Sequence, residues 1–315
     1  MLTPLPFRSR PTQAGFSLIE LMISMGILLV VSSAVTSALM QMTTSQSTVW
    51  NRTQMHSGVR SATELLQQEV GQAGRVALPA TVTLTANAAI GAAQTVGVTS
   101  AAGMFQGEQL VIDAGANQES VTLTAVDTAN NTITGTFTIA HANGAPVSVL
   151  GGFPSGIVPP APGFANGSTG TLLKLYGDIN GDGNMVYVEY TCDTVAGNLY
   201  RNVMPFNAGA KPALTAAEIL LGNILANPNG TACFTYNPNP LPVVGGNTYV
   251  LDVAITLTVQ TQTRDRITNQ FQLETKALLN VSPRNVFNVW QLASAGAPYT
   301  NRIQPMPPTV TALLP

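Results

Sequence analysis

The most constraining feature of the sequence is the absence of charged side chains from residues 21–51, between Glu20 and Arg52. Residues 21–40 are mostly apolar. As a helix they would be roughly 30 Å long, which is enough to cross the hydrocarbon core of a bilayer. The sequence therefore predicts one membrane-spanning helix over about residues 20–42.

The charges ahead of this run set its orientation. Arg8 and Arg10 are the only charged residues before Glu20, and basic residues keep their end of a span in the cytoplasm. A cleaved signal peptide, ending near the small residues at 34–38, is the alternative. Glu20 argues for a special role of this segment, because an acid inside an apolar span is costly and usually functional.

Composition excludes several classes of function. Charged residues make up 9% of the chain, and the formal net charge is −2, so a nucleic-acid partner is not expected. The two histidines are His56, predicted as a solvated helix residue, and His141, predicted as an isolated structural residue. With no histidine in the predicted head to activate a serine or cysteine, we predict a protein that is not an enzyme.

The residues around Glu20 resemble the processing site of type IV prepilins. From Gly15 onwards they read Gly-Phe-Ser-Leu-Ile-Glu-Leu-Met-Ile-Ser. In that family a membrane-bound prepilin peptidase cleaves after the glycine and methylates the new N-terminal phenylalanine. The resemblance implies that the basic leader, residues 1–15, is removed, that the bond between Gly15 and Phe16 is cut, and that Phe16 is N-methylated.

Glu20 is predicted to act in assembly. Cleavage would leave an amine on Phe16, one helical turn from the Glu20 carboxylate. In a filament the amine of a neighbouring subunit could pair with this carboxylate, so that neither charge stays alone in an apolar core. The alternative is an acid tolerated near the lipid headgroups. Major pilins carry a helix-bending proline and a glycine where this chain has Ser37 and Leu29, so an unkinked helix is expected.

Periodicity predicts that the helix continues beyond the membrane to about residue 75. Between Val59 and Ala73 apolar residues recur every three or four positions, and Glu69 lies on the same stripe. The first half of a helix over 16–75 would belong to the membrane or filament, and the second half would pack on a head.

The remaining sequence predicts a β-rich head with an insertion. Residues 76–152 read as a small all-β module, 153–170 as a semi-rigid linker rich in Pro and Gly, and 171–294 as an antiparallel head. In the head, two long alternating strands form a hairpin whose apolar face can receive the helix. Residues 295–315 form a Pro-rich tail. The predicted fold class is α+β: a long N-terminal helix packed on an antiparallel sheet, with an inserted β module.

One segment of the head resembles a calcium loop. Asp178, Asn180, Asp182 and Asn184 alternate in a Gly-rich stretch, and Glu189 stands at the position of a closing ligand. The flanks alternate as strands, however, and a strand would carry Glu189 roughly 16 Å beyond Asn184. A hairpin turn rich in Asp, Asn and Gly explains the same residues without a metal. No other cofactor is predicted.

The chain has two cysteines, Cys192 and Cys233, and both fall in the predicted head. In an exported head they should form a disulfide, with two buried thiols as the alternative.

The order of elements resembles the PilW type of minor pilin and the J-type pseudopilins of type II secretion. The matching elements are the Asp-Gly turn, the Glu189-Tyr190 strand, Leu199-Tyr-Arg201, Phe234-Thr-Tyr236 and the closing Pro283-Arg-Asn285. The resemblance implies a non-catalytic minor pilin that helps to initiate or cap a type IV pilus. Its implied partners are prepilin peptidase, other minor and major pilins, and the inner membrane. It would be a single-pass inner-membrane protein before assembly and extracytoplasmic, in the pilus, afterwards. A secretion pseudopilin and a membrane-tethered surface adhesin are the alternatives.

Overall fold

The computed structural model describes residues 15–266, 268–297 and 299–315, and of Leu279 only the backbone. The fold is α+β, with one long N-terminal helix followed by antiparallel β-sheets. The predicted leader lies outside the described residues except for Gly15.

Helix α1 runs without interruption over Leu18–Gln72. The nearest prolines in the sequence are Pro11 and Pro79, so no residue within the helix removes a backbone donor. The expectation of an unkinked helix is confirmed. Residues 15–43 are all exposed, whereas buried residues on α1 begin at Met55.

The second half of α1 forms part of the core of the head. Val59, Ala62, Leu66 and Val70 are at most 1% exposed and pack in one apolar cluster with residues of the head strands. These residues belong to the stripe predicted from periodicity. The helix is therefore embedded in the head along its second half and bare along its first.

The segment after α1 forms a separate sheet of six antiparallel strands. They are β1 Val82–Thr83, β2 Gly91–Gly97, β3 Gln109–Ile112, β4 Glu119–Asp127, β5 Thr132–Phe137 and β6 Pro146–Val149, in the order β1-β6-β3-β4-β5-β2. The two outer strands also meet, because Leu84 bridges Val98 and the Thr85 amide donates to the Gly97 carbonyl at 2.8 Å. The sheet thus closes into a small barrel with its own apolar core.

The chain enters and leaves this barrel at one place. Arg75 and Gly152, at its two ends, are joined by an antiparallel bridge. The barrel is therefore inserted between α1 and the head without separating them.

Two antiparallel sheets make up the head. The first has the order β10-β9-β8-β7, and in the second β15 pairs with β11 and β12 along one edge and with β16 along the other. The ranges are β7 Leu172–Gly177, β8 Val186–Asp193, β9 Asn198–Pro205, β10 Ile219–Gly222, β11 Ile224–Leu225, β12 Phe234–Asn237, β15 Asp252–Gln260 and β16 Leu273–Val281. A short ribbon of β13 Val243–Val244 and β14 Asn247–Thr248 stands apart. The predicted long hairpin is β15 and β16, and α1 contacts both strands.

The segments interpreted as linker and tail are integral to the packing. Phe153, Ile157 and Val158 are fully buried, so the first part of the expected linker is core rather than spacer. After helix α2, Arg284–Ala295, the chain forms helix α3, Pro308–Leu313. The side chain of Gln304 makes two hydrogen bonds to the backbone of Gln109 in the barrel. Its Oε1 accepts the Gln109 amide and its Nε2 donates to the Gln109 carbonyl, each at 2.8 Å.

Candidate functional site

The residues of the predicted processing site lie in an accessible segment at the start of α1. Gly15 and Ser17 are exposed, and Phe16 is 88% exposed. Ser17 caps the helix by accepting the Ile19 amide, and Glu20 accepts the Ser17 amide at 2.9 Å. This reciprocal capping box explains why the helix begins at Leu18. It also directs the Glu20 carboxylate towards the N-terminus of the helix, where it meets the backbone amide of the residue after Phe16.

The helix behind this site is long and apolar enough to span a membrane. Its most hydrophobic 18-residue window has a mean hydropathy of 2.3, and none of that window is buried. An apolar stretch of this length needs a lipid or protein environment, because exposed apolar area is unfavourable in water.

A buried ion pair fixes the other half of α1 to the head. Glu69 is 3% exposed, and its two carboxylate oxygens accept Arg201 Nε at 3.0 and 3.2 Å. The hydroxyl of Tyr190 donates to Glu69 Oε2 at 2.5 Å. Burial alone would lower the pKa of Arg201, but the hydrogen bond and negative charge of Glu69 outweigh it and raise the pKa. Burial, reinforced by Glu69, raises the pKa of Tyr190. Arg201 therefore stays protonated and the tyrosine neutral.

The two histidines differ in their surroundings. His56 has an exposed side chain, as predicted, but its Nδ1 also pairs with Glu274 on β16. The His141 side chain is completely buried, with Nε2 2.8 Å from Glu119 and Nδ1 3.3 Å from Asp113. No acid lies next to His141 in the sequence. The fold of the barrel brings Glu119, from the start of β4, and Asp113, from the loop before β4, to the histidine ring. This arrangement supports a structural role for His141.

The loop between β7 and β8 uses its acids to shape the turn. Asp178 is buried, and its Oδ1 accepts the amides of Asp182 and Gly183 at 3.0 and 3.3 Å. Its other oxygen lies 3.4 Å from Arg75 Nε. Asp182 accepts the amide of Asn184 at 2.8 Å. The loop residues are thus close together, and every one of these hydrogen bonds is also expected of a metal-free turn.

Glu189, the potential closing ligand, is committed elsewhere. It lies on β8 and accepts the Tyr187 hydroxyl at 2.6 Å and Lys211 Nζ at 2.7 Å. Lys174 Nζ is 3.7 Å away. Among the described residues no group of three His, Cys, Asp or Glu is placed to hold a metal ion. Calcium binding by Asp178, Asn180, Asp182 and Asn184 stays a prediction.

Cys192 and Cys233 form a disulfide, with their Cα atoms 6.5 Å apart. Cys192 lies on β8 and Cys233 directly precedes β12, so the bond ties the two sheets of the head together.

Comparison with known proteins supports the identity of the N-terminal segment. A family model described as the prokaryotic N-terminal methylation motif matches residues 10–36. No curated protein and no solved structure matches the chain significantly. The motif, together with the apolar helix, supports a type IV pilin-like protein whose precursor is anchored in a membrane and processed by prepilin peptidase.

Sequence reasoning missed the partners of Glu69. The signal was an acid on the buried stripe of an amphipathic helix, which requires a positive partner in the core. The partner itself, Arg201, lies 132 positions along the chain and could not be chosen from spacing.

Proposed function

We propose that this protein is a minor pilin that takes part in the assembly of a type IV pilus, in its initiation or tip complex, and that it has no catalytic role. The observation that carries the proposal is the placement of Phe16 and Glu20 at the exposed start of a continuous apolar helix whose far half is locked into a folded head. Such a helix can leave the bilayer and pack against the helices of other subunits without rearranging the head.

The barrel supports a minor rather than a shaft subunit. It adds a second folded body beside the head, with its own core. In a shaft every head is surrounded by copies of itself, so added bulk must be accommodated on all sides. At a filament end neighbours occupy one side only, and the barrel has room.

The first experiment tests processing. Gly15→Val should prevent cleavage, because a bulky residue beside the scissile bond is not accepted by the peptidase. Gly26→Val is the matched control, since it makes the same change on an exposed helix face where a Cβ meets no atom within 4 Å. Each full-length variant would be co-expressed with a prepilin peptidase, and its N-terminal peptide identified by mass spectrometry. Normal cleavage of Gly15→Val would contradict the proposal.

The second experiment tests the filament. Purified pili and the secretion filament of the same cells would be analysed by quantitative mass spectrometry. We expect sub-stoichiometric amounts in pili. Enrichment in the secretion filament would favour a pseudopilin, and recovery of the processed protein in membranes or on the cell surface without filaments would favour a tethered adhesin.

A further inference from the structure

We infer that the tip of the β15–β16 hairpin, together with the adjoining face of α1, binds the anionic phospholipid surface of the membrane that α1 spans. The surface, here called the collar, consists of Trp50 and Arg52 on α1 with Arg264, Arg266 and Phe271 on the hairpin. The inference concerns the membrane-anchored precursor and does not depend on filament assembly.

The collar is a defined structure and not a loose loop. The hairpin is fastened to α1 by Thr48 Oγ1, which donates to Asp265 Oδ2 at 3.0 Å, and by Asn51 Nδ2, which donates to Thr263 Oγ1 at 2.6 Å. Arg52 also donates to Gln272. These contacts hold the hairpin tip against α1 at residues 48–52, six to ten residues beyond the end of the predicted span.

The exposed charge of the collar is positive. Arg264 and Arg266 are both exposed, whereas Asp265 between them is 7% exposed and accepts hydrogen bonds within the hairpin and from α1. In the sequence no acid occurs between Glu20 and Glu64, so α1 brings no negative charge to this level. Three of the 13 basic residues of the chain, Arg52, Arg264 and Arg266, therefore lie at one end of the head.

The collar lies just outside the lipid headgroups, within reach of its long side chains. Arg264 and Arg266 line the same groove, of about 870 Å³, as Met42, where the predicted span ends. Trp50 lies eight residues further on, roughly 12 Å along the axis, and helix side chains tilt towards the N-terminus, here towards the membrane. The headgroup layer is roughly 5–8 Å thick on each side of the hydrocarbon core.

The side chains of the collar are of the kinds found at this depth. Trp50 is 73% and Phe271 37% exposed, and Arg264 stacks over the Phe271 ring with its guanidinium carbon 5.2 Å from the ring centre. Tryptophan and arginine, with an apolar body and a polar end, are preferred at membrane interfaces. Positive charge beside them selects anionic over zwitterionic lipid, with each arginine worth about a fivefold change in binding.

The test uses the full-length protein in nanodiscs. Gln270 is exposed at the hairpin tip, and the native cysteines are joined in a disulfide, so Gln270→Cys gives a single site for a fluorophore. Nanodiscs would contain phosphatidylcholine alone or phosphatidylcholine with phosphatidylglycerol, each with a lipid that carries a quencher on its headgroup. We expect stronger quenching in the anionic discs, and we expect added salt to remove the difference.

Matched variants assign the effect. Arg264→Gln with Arg266→Gln should reduce the ratio of membrane-bound to free collar by about twenty-fivefold in anionic discs, given about fivefold for each arginine. Lys276→Gln with Arg284→Gln removes the same charge far from the tip and should leave quenching unchanged. Arg264→Lys with Arg266→Lys should restore it, which separates loss of charge from loss of fold.

Two results would overturn the inference. One is equal quenching in the two lipid compositions, which would mean that α1 alone sets the distance to the membrane. The other is undiminished quenching in the double glutamine variant. Either result leaves the proposed function untouched, because cleavage at Gly15 and recovery in pili are measured separately.

Discussion

At the scale of single residues, two buried acids show how much a partner matters. Glu69 has Arg201 and Tyr190 within hydrogen-bonding distance. Glu108 is completely buried in the barrel, and its Oε2 accepts only a long bond from the Phe105 amide, while its Oε1 has no partner among the described residues. Glu69 is paired with a basic residue that helps to hold α1 on the head. Glu108 has no such partner, and burial favours its neutral form.

Removing Glu69 should destabilise the docking of α1. In Glu69→Ala the half-buried Arg201 loses its counter-charge, so we expect the free energy of unfolding to fall by about 3 kcal/mol. Glu64→Ala, on the exposed face of the same helix, should change it by less than about 0.5 kcal/mol. Chemical denaturation of the full chain in detergent measures both. Equal small losses would show that the pair contributes only packing.

Glu108 should make stability depend on pH. Burial raises its pKa in the folded state to about 8, against 4.5 for an ordinary glutamate. Its contribution to stability is therefore fully present below the unfolded pKa and is lost as pH rises through the folded pKa. Glu108→Gln should match the wild type near pH 4.5 and exceed it by up to about 3 kcal/mol at pH 7. Parallel pH profiles of melting temperature for the two proteins would contradict this assignment.

At the scale of elements, local patterns predicted most of the regular structure. The sequence places strands at 109–112 and 172–176, and the structure has β3 at Gln109–Ile112 and β7 at Leu172–Gly177. The strands that escaped prediction include β6, β10, β11 and β12, which are four residues or shorter and pair with strands elsewhere in the chain. Closure of the barrel through Leu84 and Val98 is likewise a long-range event that no local periodicity encodes.

The β7–β8 loop is the element whose role depends on a measurement. Because Asp178 already accepts two turn amides and faces Arg75, we expect thermal melts of the full chain with calcium and with a chelator to superimpose. If the loop does hold calcium, a hundredfold excess over Kd would stabilise the protein by about 2.7 kcal/mol. Asp182→Ala would then abolish that gain, whereas Asp193→Ala, in the next turn, would not.

At the scale of the whole molecule, the first half of α1 is exposed and its second half is packed in the head. Glu20 lies near the start of the exposed half. In the single chain its carboxylate caps its own helix. Transfer to the amine of a neighbouring Phe16 would exchange a local contact for one between subunits. Under the proposed function this exchange would take place only in an assembly, and the single chain shows Glu20 as a capping residue.

Glu20→Gln tests that exchange. The variant should be inserted and cleaved normally, because the amide can still accept the Ser17 backbone hydrogen bond, but it should lose most of its incorporation into pili. Glu64→Gln, on the same helix outside the apolar run, should incorporate normally. Quantitative mass spectrometry of purified pili measures both. Undiminished incorporation of Glu20→Gln would show that this carboxylate does not guide assembly.

The bridge between Arg75 and Gly152 has a mechanical consequence. In the proposed role as a filament subunit, the protein would carry tension through the segments that connect its two loaded ends. The barrel lies outside the direct connection between α1 and the head, because the chain leaves at Arg75 and returns beside it at Gly152. The bridge between these two residues links α1 to the head without passing through the barrel. Pulling on α1 would load the Glu69 ion pair and the contacts with β15 and β16 first, while the barrel would stay folded until that bridge opened.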